Sequence, residues 1–399
     1  MSIKKILVIN CGSSSVKFSL FDSQKNQLAA GLAEKLGDAD AVLSWRIQGG
    51  DKNTLSLHSA QHRGAITAIT KALGDAGLFD GGIAAIGHRV VHGGEFFSAS
   101  VVIDAAVMKN IASCSHLAPL HNPANIVGIE LLAEQFPQLP QVAVFDTAFH
   151  QSLPDYAYTY GLPYQYYKEF GLRRYGFHGT SHRYVSQQAA QRLHKAYTDS
   201  SIISAHLGNG CSATAILNGK SIDTTMGLTP LEGLLMGTRS GDIDPSIHQF
   251  LADQLHCDLS DITAILNNNS GLFGISGLSN DMRTLCEAAA TGNTRAQLAI
   301  AVFCYRLAKA IAALAVPLGK IDALVFTGGI GENAATVREQ TIKQLSILNM
   351  TLDTQKNART VGGEQGIITT DNSTVAMVIA TQEEWVIAQD TLALLDTLS

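Results

Sequence analysis

The chain lacks the patterns that mark several large classes of protein. Among its 399 residues there are six cysteines, and no two of them form a C-x-x-C pair, so neither a zinc site nor a disulfide framework is indicated. There is no run rich in Lys and Arg, and the net charge of −6 argues against a nucleic-acid partner. We therefore expect a cytoplasmic protein with reduced thiols that binds no nucleic acid.

Long apolar runs are also missing. Lys4-Lys5 precede only the short apolar stretch Ile6–Ile9, and the core of a secretion signal needs roughly 7–15 residues. The longest apolar helix candidate, 310–318, is flanked by lysines, is expected to be broken by Pro317 and is far shorter than the roughly 20 residues of a membrane span. The sequence therefore predicts no association with a membrane.

Two similar hairpins stand out against this background. In 6–21 and again in 202–216, an apolar strand runs into a turn of Gly, Ser and Asn and continues as a second strand. Turns of small residues let backbone N–H groups approach an anion closely, because no Cβ atom stands in the way. The repeat predicts a duplicated domain that holds a polyphosphate from both sides, as in a nucleotide-dependent phosphotransferase.

The remaining pattern predicts alternating strands and helices in two domains. The boundary is placed near residue 150, because the Pro- and Tyr-rich segment Leu153–Arg174 is typical of a connection. Thr381 and Glu384 fit a capping box, which predicts a last helix starting at Thr381. The main predicted elements are strands within 31–57, 83–86, 142–145 and 323–326, and helices at 61–73, 107–115, 124–135, 245–255, 260–267 and 294–316.

Two glycine motifs suggest phosphate binding by other folds. Gly219-Lys220-Ser221 resembles the tail of a P-loop, but Thr214 occupies the position of the first glycine and a hairpin surrounds the turn, so we reject it. Residues 329–334 fit G-x-G-x-x-A, and Asp353 follows about 20 residues later, as in dinucleotide-binding dehydrogenases. We favour the interpretation that these glycines let adenosine or phosphate approach the backbone.

Histidine pairs raise the alternative of a metal site. His88 and His92, and likewise His178 and His182, are spaced i, i+4. A zinc protease helix needs Glu directly after the first His, and here Arg and Gly follow. A loop histidine that donates to an anion is the favoured interpretation, with Gly179–Ser181 regarded as a poor helix core.

Charged residues near glycines and strand ends are the other candidates. Arg89 and Arg239 are predicted in glycine-rich loops, where a planar guanidinium matches carboxylate or phosphoryl oxygens. Asp146 follows a buried-type strand and fits a Mg²⁺ ligand, a substrate-positioning group or a base. Glu384 fits a helix cap, whereas Glu383 fits either a cap or a metal ligand.

At this point the ordered motifs resemble a known family. Asn10–Lys17 is similar to the N-terminal signature of the acetate kinases, and so many further motifs follow in order that the resemblance covers essentially the whole chain. These further matches are 87–95, 117–123, 145–150, 174–182, 206–210, 236–245, 327–333 and 381–384. The family belongs to the acetate and sugar kinase/Hsc70/actin superfamily.

The resemblance implies an α/β fold of the duplicated two-domain, ribonuclease H-like (actin-like ATPase) type, with a nucleotide cleft between domains. It implies an N-terminal acetate and phosphate domain, residues 1–150 completed by the helix 383–399, and a nucleotide-binding domain, residues 151–382. The implied reaction is ATP + acetate ⇌ ADP + acetyl phosphate with Mg²⁺, or Mn²⁺ in its place, in a cytoplasmic homodimer.

The same resemblance implies roles for individual positions of this chain. Magnesium positions are Asn10 and Glu383, and phosphate-binding positions are Lys17, His206, Leu207, Gly208, Asn209 and Gly210. Adenosine-contacting positions are Asp281, Met282, Arg283, Gly329, Ile330, Gly331, Glu332 and Asn333. Substrate positions are Arg89, Val91, Leu120, His121, Phe177 and Pro230. Asp146 is implied as catalytic acid or base, and His178 and Arg239 as stabilisers of the transition state.

Three expectations qualify these roles. Acetate, like a carboxyl group of pKa about 4.3, is ionised at neutral pH and needs no base, so we favour an orienting role for Asp146. Cys211 stands where a glycine is common in the phosphate turn, and we hypothesise that it makes the site sensitive to thiol reagents. Gln382, where Asn is usual, is a minor departure.

Alternatives to an acetate kinase remain open. Propionate kinase is the first, because one methylene in an apolar pocket contributes only about 1–3 kcal/mol to discrimination. A nicotinamide-dependent dehydrogenase and a non-catalytic ATP-binding switch are the alternatives from other classes.

Overall fold

A computed structural model describes residues 3–398, so Ser399 at the end of the predicted C-terminal helix lies outside the described residues, as do Met1 and Ser2. The chain forms two compact units. One contains the residues up to Gln151 and those from Gln382 onward, and the other is Ser152–Thr381. The chain therefore passes from one unit to the other twice.

The first unit is built on one mixed sheet. Its strands and N-terminal helices are β1 (Lys5–Cys11), β2 (Val16–Asp22), β3 (Gln27–Glu34), β4 (Val42–Ile47), β5 (Lys52–Ser56), α1 (His62–Asp75), β6 (Ala85–Val90), β7 (Val101–Val102), α2 (Ala105–Ser113), α3 (Asn122–Gln135) and β8 (Gln141–Phe145). The strand order is β5-β4-β3-β2-β1-β6-β8-β7. Strands β1 to β5 form an antiparallel meander, while β1, β6 and β8 are parallel.

Apolar periodicity explains how the helices cover this sheet. In α1, Ile66, Ile69 and Leu73 repeat at helical spacing and are fully buried or nearly so. They join a core cluster with Phe18 and Leu20, which alternate inward from β2. Packing of this kind fixes the register of the hairpin β1–β2, because a slip of one residue would turn these side chains away from the core.

The second unit repeats the plan with a second mixed sheet. Its elements are α4 (Asp155–Tyr158), α5 (Tyr164–Phe170), α6 (Gly179–Arg192), β9 (Ser201–Leu207), β10 (Cys211–Leu217), β11 (Lys220–Thr224), α7 (Ile247–Leu255), α8 (Leu259–Asn268), α9 (Gly271–Ser276), α10 (Met282–Ala290), α11 (Thr294–Leu318), β12 (Ala323–Thr327), α12 (Gly328–Asn333), α13 (Ala335–Ile342), α14 (Thr354–Arg359), β13 (Gly366–Ile367) and β14 (Val375–Val378). The order is β11-β10-β9-β12-β14-β13. An antiparallel meander again continues into parallel strands, β9, β12 and β14, so the two sheets share the topology that the repeated hairpins predict.

Helix α11 corrects one expectation. We expected Pro317 to break the apolar stretch 310–318, but the helix runs on to Leu318 and is the one helix of the described residues that is long and apolar enough to cross a membrane by length and composition. Proline in the last turn only removes a hydrogen bond there. The helix packs within its own unit, with Phe303, Leu307 and Ile311 buried, as the core helix of a globular unit does.

The C-terminal helix α15 (Glu383–Leu398) packs on the first sheet, where Ile387, Ala388 and Leu395 join the cluster around Ile6 and Val8. The predicted capping box is wrong. The helix begins at Glu383, two residues later than the predicted start, and the Thr381 hydroxyl hydrogen-bonds to Ser181 instead. Glu384 forms an ion pair with Lys17.

Other element boundaries also differ from the predictions. The connecting segment before Arg174 contains two short helices, α4 and α5. Arg89 lies inside β6 rather than in a loop, because β6 finds hydrogen-bonding partners on both sides, β1 and β8. Gly179–Ser181 forms the first turn of α6, because His178 adopts a left-handed conformation (φ 56°) that turns the chain into the helix.

A buried arginine stabilises the second unit. Arg338 is fully buried and donates five hydrogen bonds, to the backbone oxygens of Gly331, Glu332, Asn357 and Thr360 and to the side-chain oxygen of Asn357. Burial lowers its pKa to about 10. The fork geometry of the guanidinium satisfies acceptors from α12 and α14 together, so one side chain fixes both helices.

Replacing Arg338 with Met is expected to lower the free energy of unfolding by more than about 3 kcal/mol, because each buried acceptor left without a donor costs about 1–3 kcal/mol. Urea denaturation followed by circular dichroism measures the change. Arg359→Met, at an exposed position of α14, is the matched control and should stay within about 0.5 kcal/mol of the original protein. Equal stability of the two variants would contradict the assignment.

Candidate functional site

Three predicted residues of the first unit meet at one edge of its sheet. Because β1, β6 and β8 are parallel, Asn10, Arg89 and Asp146 all lie near the carboxyl ends of neighbouring strands. Arg89 donates from Nε and Nη2 to the two carboxylate oxygens of Asp146, at 3.0 and 2.5 Å, and from Nη1 to Asn10 Oδ1 at 3.4 Å. Although burial works in the opposite direction, Asp146 raises the pKa of Arg89, which is therefore a permanent cation.

The start of α15 adds acidic groups on the same unit. Burial raises the pKa of Glu383 to about 7, an effect that Asp146 and Glu384 reinforce and Arg89 and Lys17 oppose. A nearby cation would favour the charged form of this carboxyl group. Among the described residues there is no group of three or more His, Cys, Asp or Glu placed to hold a metal ion. Mg²⁺ usually takes only one or two protein carboxylates and keeps waters and phosphate oxygens, so Asn10 and Glu383 fit it.

The predicted substrate positions are divided between the two units. In the first unit, Val91 follows β6 and is buried, His121 directly precedes α3, and Leu120 exposes 71% of its surface. In the second unit, Phe177 is buried beside His178, and the carbonyl of Pro230 accepts a hydrogen bond from Arg239. Their roles stay predictions.

The first histidine pair is structural. His88 lies within β6 and its Nε2 is 2.5 Å from Gln141 Oε1, while His92 Nδ1 accepts a hydrogen bond from the Gly94 backbone N–H. Burial lowers the pKa of His88 to about 4 and that of His92 to about 3. His88 therefore lies on strand β6 and His92 just after its end. The two residues are not on one helix, as the metal-site alternative requires.

These two histidines predict loss of stability in acid. Their folded pKa values lie below the unfolded value of about 6.5, so between pH 6.5 and 4 the unfolded chain binds protons that the folded chain does not. Each histidine is expected to lower the free energy of unfolding by about 1.4 kcal/mol per pH unit in that range. Denaturant unfolding at several pH values measures the slope, which should be shallower for His88→Gln and unchanged for His194→Gln at an exposed position. Equal slopes for the three proteins would contradict the assignment.

The phosphate turn of the second unit is a tight reversal between β9 and β10. Leu207 pairs with Cys211, and the Gly208 N–H donates to the Gly210 carbonyl at 3.0 Å. Cys211 is fully buried, its thiol is 3.3 Å from the Gly208 carbonyl, and burial raises its pKa to about 12. The hypothesis of a thiol-sensitive site is not supported, because a buried neutral thiol is a poor nucleophile.

Two histidines and an arginine of the second unit lie close to this turn. His178 and His206 stack with ring centroids 4.3 Å apart. Arg239 donates to the Pro230 carbonyl at 2.8 Å, and a Cβ atom at Gly210 would lie within 3.4 Å of its guanidinium nitrogens. Burial lowers the pKa of Arg239. The turn, His178, His206 and Arg239 thus lie together in one unit. The sequence singled out the turn, His178 and Arg239 separately, and only the family resemblance implied one shared role in phosphoryl transfer.

A cavity of about 620 Å³ opens next to the same turn. It is lined by Gly208, Asn209, Asn280, Asp281, Met282, Arg283, Cys286, Gly329, Ile330, Asn333, Ala334, Ala335 and Thr336. Most of the predicted adenosine-contacting residues therefore line one cavity. Gly331 and Glu332 do not line it, and Glu332 instead accepts hydrogen bonds from the backbone N–H groups of Gly328 and Thr381.

The dinucleotide alternative does not fit this arrangement. The glycines of 329–334 lie within α12, and Asp353 caps α14, where it accepts from the N–H groups of Gln355 and Lys356. Sequence reasoning missed the cavity residues Asn280 and Cys286, for which no motif gives a signal.

Three serines that contact the histidines were missed as well. Ser204 and Ser212 hydrogen-bond to His182, and Ser181 hydrogen-bonds to His206. The available signal placed Ser204 on the same face of β9 as His206, whereas its hydrogen-bonding partner His182 lies on α6.

Comparison with known proteins agrees over the full length. The acetokinase family model matches residues 5–389. The acetate kinase of Shewanella sp. (strain ANA-3) is 54% identical over 398 residues, which cover 99% of this chain and 100% of that protein. The chain is thus similar in both length and sequence to a curated relative.

Solved structures give the same result. The crystal structure of Porphyromonas gingivalis acetate kinase matches with a TM-score of 0.94 at 43% identity, covering 98% of this chain and 100% of that one. A propionate kinase from Francisella tularensis subsp. tularensis SCHU S4 matches with a TM-score of 0.92 at 48% identity, covering 97% and 98%. The predicted fold class is confirmed, and the chain belongs to the acetokinase family.

Proposed function

We propose that the protein is an acetate kinase, an ATP:acetate phosphotransferase that interconverts ATP and acetate with ADP and acetyl phosphate. The observation that carries this proposal is membership of the acetokinase family over residues 5–389. The cavity beside the phosphate turn supports it, because an adenosine group needs such a concave surface and its phosphates need the N–H groups and histidines of the turn.

The nucleotide is assigned to residues of the second unit. Asp281, Met282 and Arg283 would contact the adenosine from one side of the cavity and Gly329, Ile330 and Asn333 from the other, with Gly331 and Glu332 shaping α12. His206, Leu207, Gly208, Asn209 and Gly210 would hold the phosphates, and so would Lys17 of the first unit.

Acetate is assigned to Arg89. Two of its nitrogens are engaged by Asp146, which fixes the plane of the guanidinium, and the remaining Nη1 edge contacts Asn10 at the longer distance of 3.4 Å. A carboxylate binds well to a fixed, permanently charged fork. Val91, Leu120, His121, Phe177 and Pro230 are proposed to enclose the methyl group.

Asn10 and Glu383 are the proposed holders of Mg²⁺, with Mn²⁺ as the alternative. When bound, the ion supplies positive charge to the phosphate oxygens. Burial raises the pKa of Glu383 to about 7 although Arg89 and Lys17 oppose the rise, so a bound cation would favour its carboxylate form.

The residues of the chain divide the chemistry between binding and charge neutralisation. Acetate is already an anion, so Asp146 acts by holding Arg89 and removes no proton. His178 and Arg239 donate to the equatorial oxygens of the transferred phosphoryl group, where charge is spread in the transition state. Exclusion of water by the bound substrates prevents hydrolysis.

Location and assembly are also proposed. All six cysteines are free, four of them buried and two partly buried, and all six have raised pKa values that keep the thiols neutral, as suits a reducing cytoplasm. A homodimer is proposed because Tyr156, Leu162, Tyr164 and Phe170 are exposed close together in sequence.

The proposal is tested by the initial rate of ADP formation with Mg-ATP and each of acetate, propionate and butyrate, alongside a blank without acid. We expect turnover that depends on the acid, with kcat/KM highest for acetate. A preference for propionate would keep the mechanism and change the substrate. ADP formation independent of any acid would indicate an ATPase or a switch, and it would contradict the proposed binding of the substrate carboxylate by Arg89.

A further inference from the structure

Each of the two stacked histidines has a serine hydroxyl at its Nδ1 atom. His178 Nδ1 is 2.9 Å from Ser212 Oγ, and His206 Nδ1 is 2.8 Å from Ser181 Oγ. The rings stack at 4.3 Å, and the Nε2 atom of His206 lies 3.8 Å from where a Cβ atom at Gly208 would be. In His206, therefore, Nε2 is the ring nitrogen nearer the phosphate turn, and Nδ1 is the one that the serine contacts.

The contact to His178 continues into the core of the second unit. Ser212 Oγ is also 2.7 Å from His182 Nε2, and His182 Nδ1 is 2.6 Å from Ser204 Oγ. His182, Ser204 and Ser212 are all fully buried. Ser204, His182, Ser212 and His178 therefore form an unbroken hydrogen-bonded row, which we name the serine–histidine relay.

Each hydroxyl has one hydrogen, so Ser212 can donate to only one of His178 and His182. Two arrangements let it donate to one histidine while it accepts from the other. In one, Ser204 donates to His182, His182 donates from Nε2 to Ser212, and Ser212 donates to His178 Nδ1. His178 is then neutral and carries its hydrogen on Nε2. In the other arrangement His178 donates from Nδ1, and it can donate from Nε2 as well only as a cation.

Stacking disfavours the charged state of His178. Two imidazolium rings at 4.3 Å would repel each other, so at most one of the two rings carries a charge. A neutral His178 can donate to a phosphoryl oxygen only if its hydrogen is on Nε2. Ser181 can likewise donate its hydrogen to His206 Nδ1, because its oxygen can accept a hydrogen bond from Thr381 Oγ1, 2.8 Å away.

We propose that the serine–histidine relay holds His178 in the neutral tautomer with hydrogen on Nε2, so that Ser212 and His182 are positioning residues for phosphoryl transfer. The inference rests on the proposed role of His178 as a donor to the phosphoryl group. It adds that this donor works without a positive charge and that its tautomer is set from the core of the unit.

The test reads the tautomer directly. In the full-length protein labelled with ¹⁵N-histidine at pH 8, with the His178 signal assigned by its absence in His178→Gln, we expect a protonated Nε2 and an unprotonated Nδ1. In Ser212→Ala this preference should be lost, and kcat should fall at least about tenfold with the KM for ATP within about twofold, because the tautomer is no longer fixed. Ser212→Thr, which keeps the hydroxyl, should retain the tautomer.

Ser200→Ala is the matched control, because Ser200 is a buried serine of the same unit whose hydroxyl donates to the Tyr197 carbonyl outside the relay. It should leave both the spectrum and kcat unchanged. A His178 signal with hydrogen on Nδ1, or on both nitrogens at pH 8, in the original protein would overturn the proposal whether or not Ser212→Ala folds. Unchanged turnover of His178→Gln would instead overturn the proposed role of His178 and leave the tautomer assignment standing.

Discussion

Asp146→Asn is expected to lower kcat by at least about 100-fold while removing no limb of the pH–rate profile. The Asp146 carboxylate receives two hydrogen bonds from Arg89 and its side chain is only 4% exposed. An amide offers one acceptor and turns its NH₂ group toward the guanidinium, so the fork is no longer held in one plane. The charge of Arg89 is then left without its partner, which is costly for a mostly buried cation.

Steady-state kinetics with acetate from pH 5.5 to 9 measure this effect. Asp104→Asn is the matched control, because Asp104 in the same unit caps α2 through the Val107 N–H and asparagine caps equally well. That variant should keep full activity. If Asp146→Asn removed a fall in rate at low pH that the original protein shows, Asp146 would be a base, and the orienting role would be wrong.

Much of the architecture was predictable because it follows from local pattern. Strands β1, β2, β9 and β10 are apolar, largely buried runs that small-residue turns join in pairs, so both hairpins could be found without a structure. Duplication followed from their likeness. Arg89 was misplaced in a loop because glycine neighbours indicate a turn, whereas the parallel partners that keep it in β6 are distant in sequence.

The finer parts of the site depend on contacts that no local pattern encodes. Glu384 fits a cap in sequence, but the ion pair with Lys17 comes from packing α15 against the first hairpin. Ser212 reaches two histidines because β10 returns beside β9, on which α6 packs. Family resemblance supplied roles for single residues, while the hydrogen bonds that orient them came only from the fold.

Arg239→Lys is expected to lower kcat by about 10²–10³-fold with little change in the KM for ATP. Arg239 donates through Nη1 to the Pro230 carbonyl and lies over Gly210, so its remaining N–H groups are aimed by that anchor. Lysine is a compact charge without a planar fork, and it cannot hold the carbonyl and a phosphoryl oxygen at the same time in this geometry. The lost interaction is made in the transition state, so it should appear in kcat.

Initial-rate kinetics with varied ATP at saturating acetate separate the two parameters. Arg192→Lys is the control, since Arg192 is exposed in the same unit and donates to Gln365. It should behave as the original protein does. Arg239→Ala should be at least as slow as Arg239→Lys. Added guanidinium should restore part of its kcat, because the free ion supplies the hydrogen-bond donors that the side chain no longer provides. A raised KM with unchanged kcat would mean that Arg239 binds ATP and the transition state equally, and its role would then be ground-state binding of the phosphates.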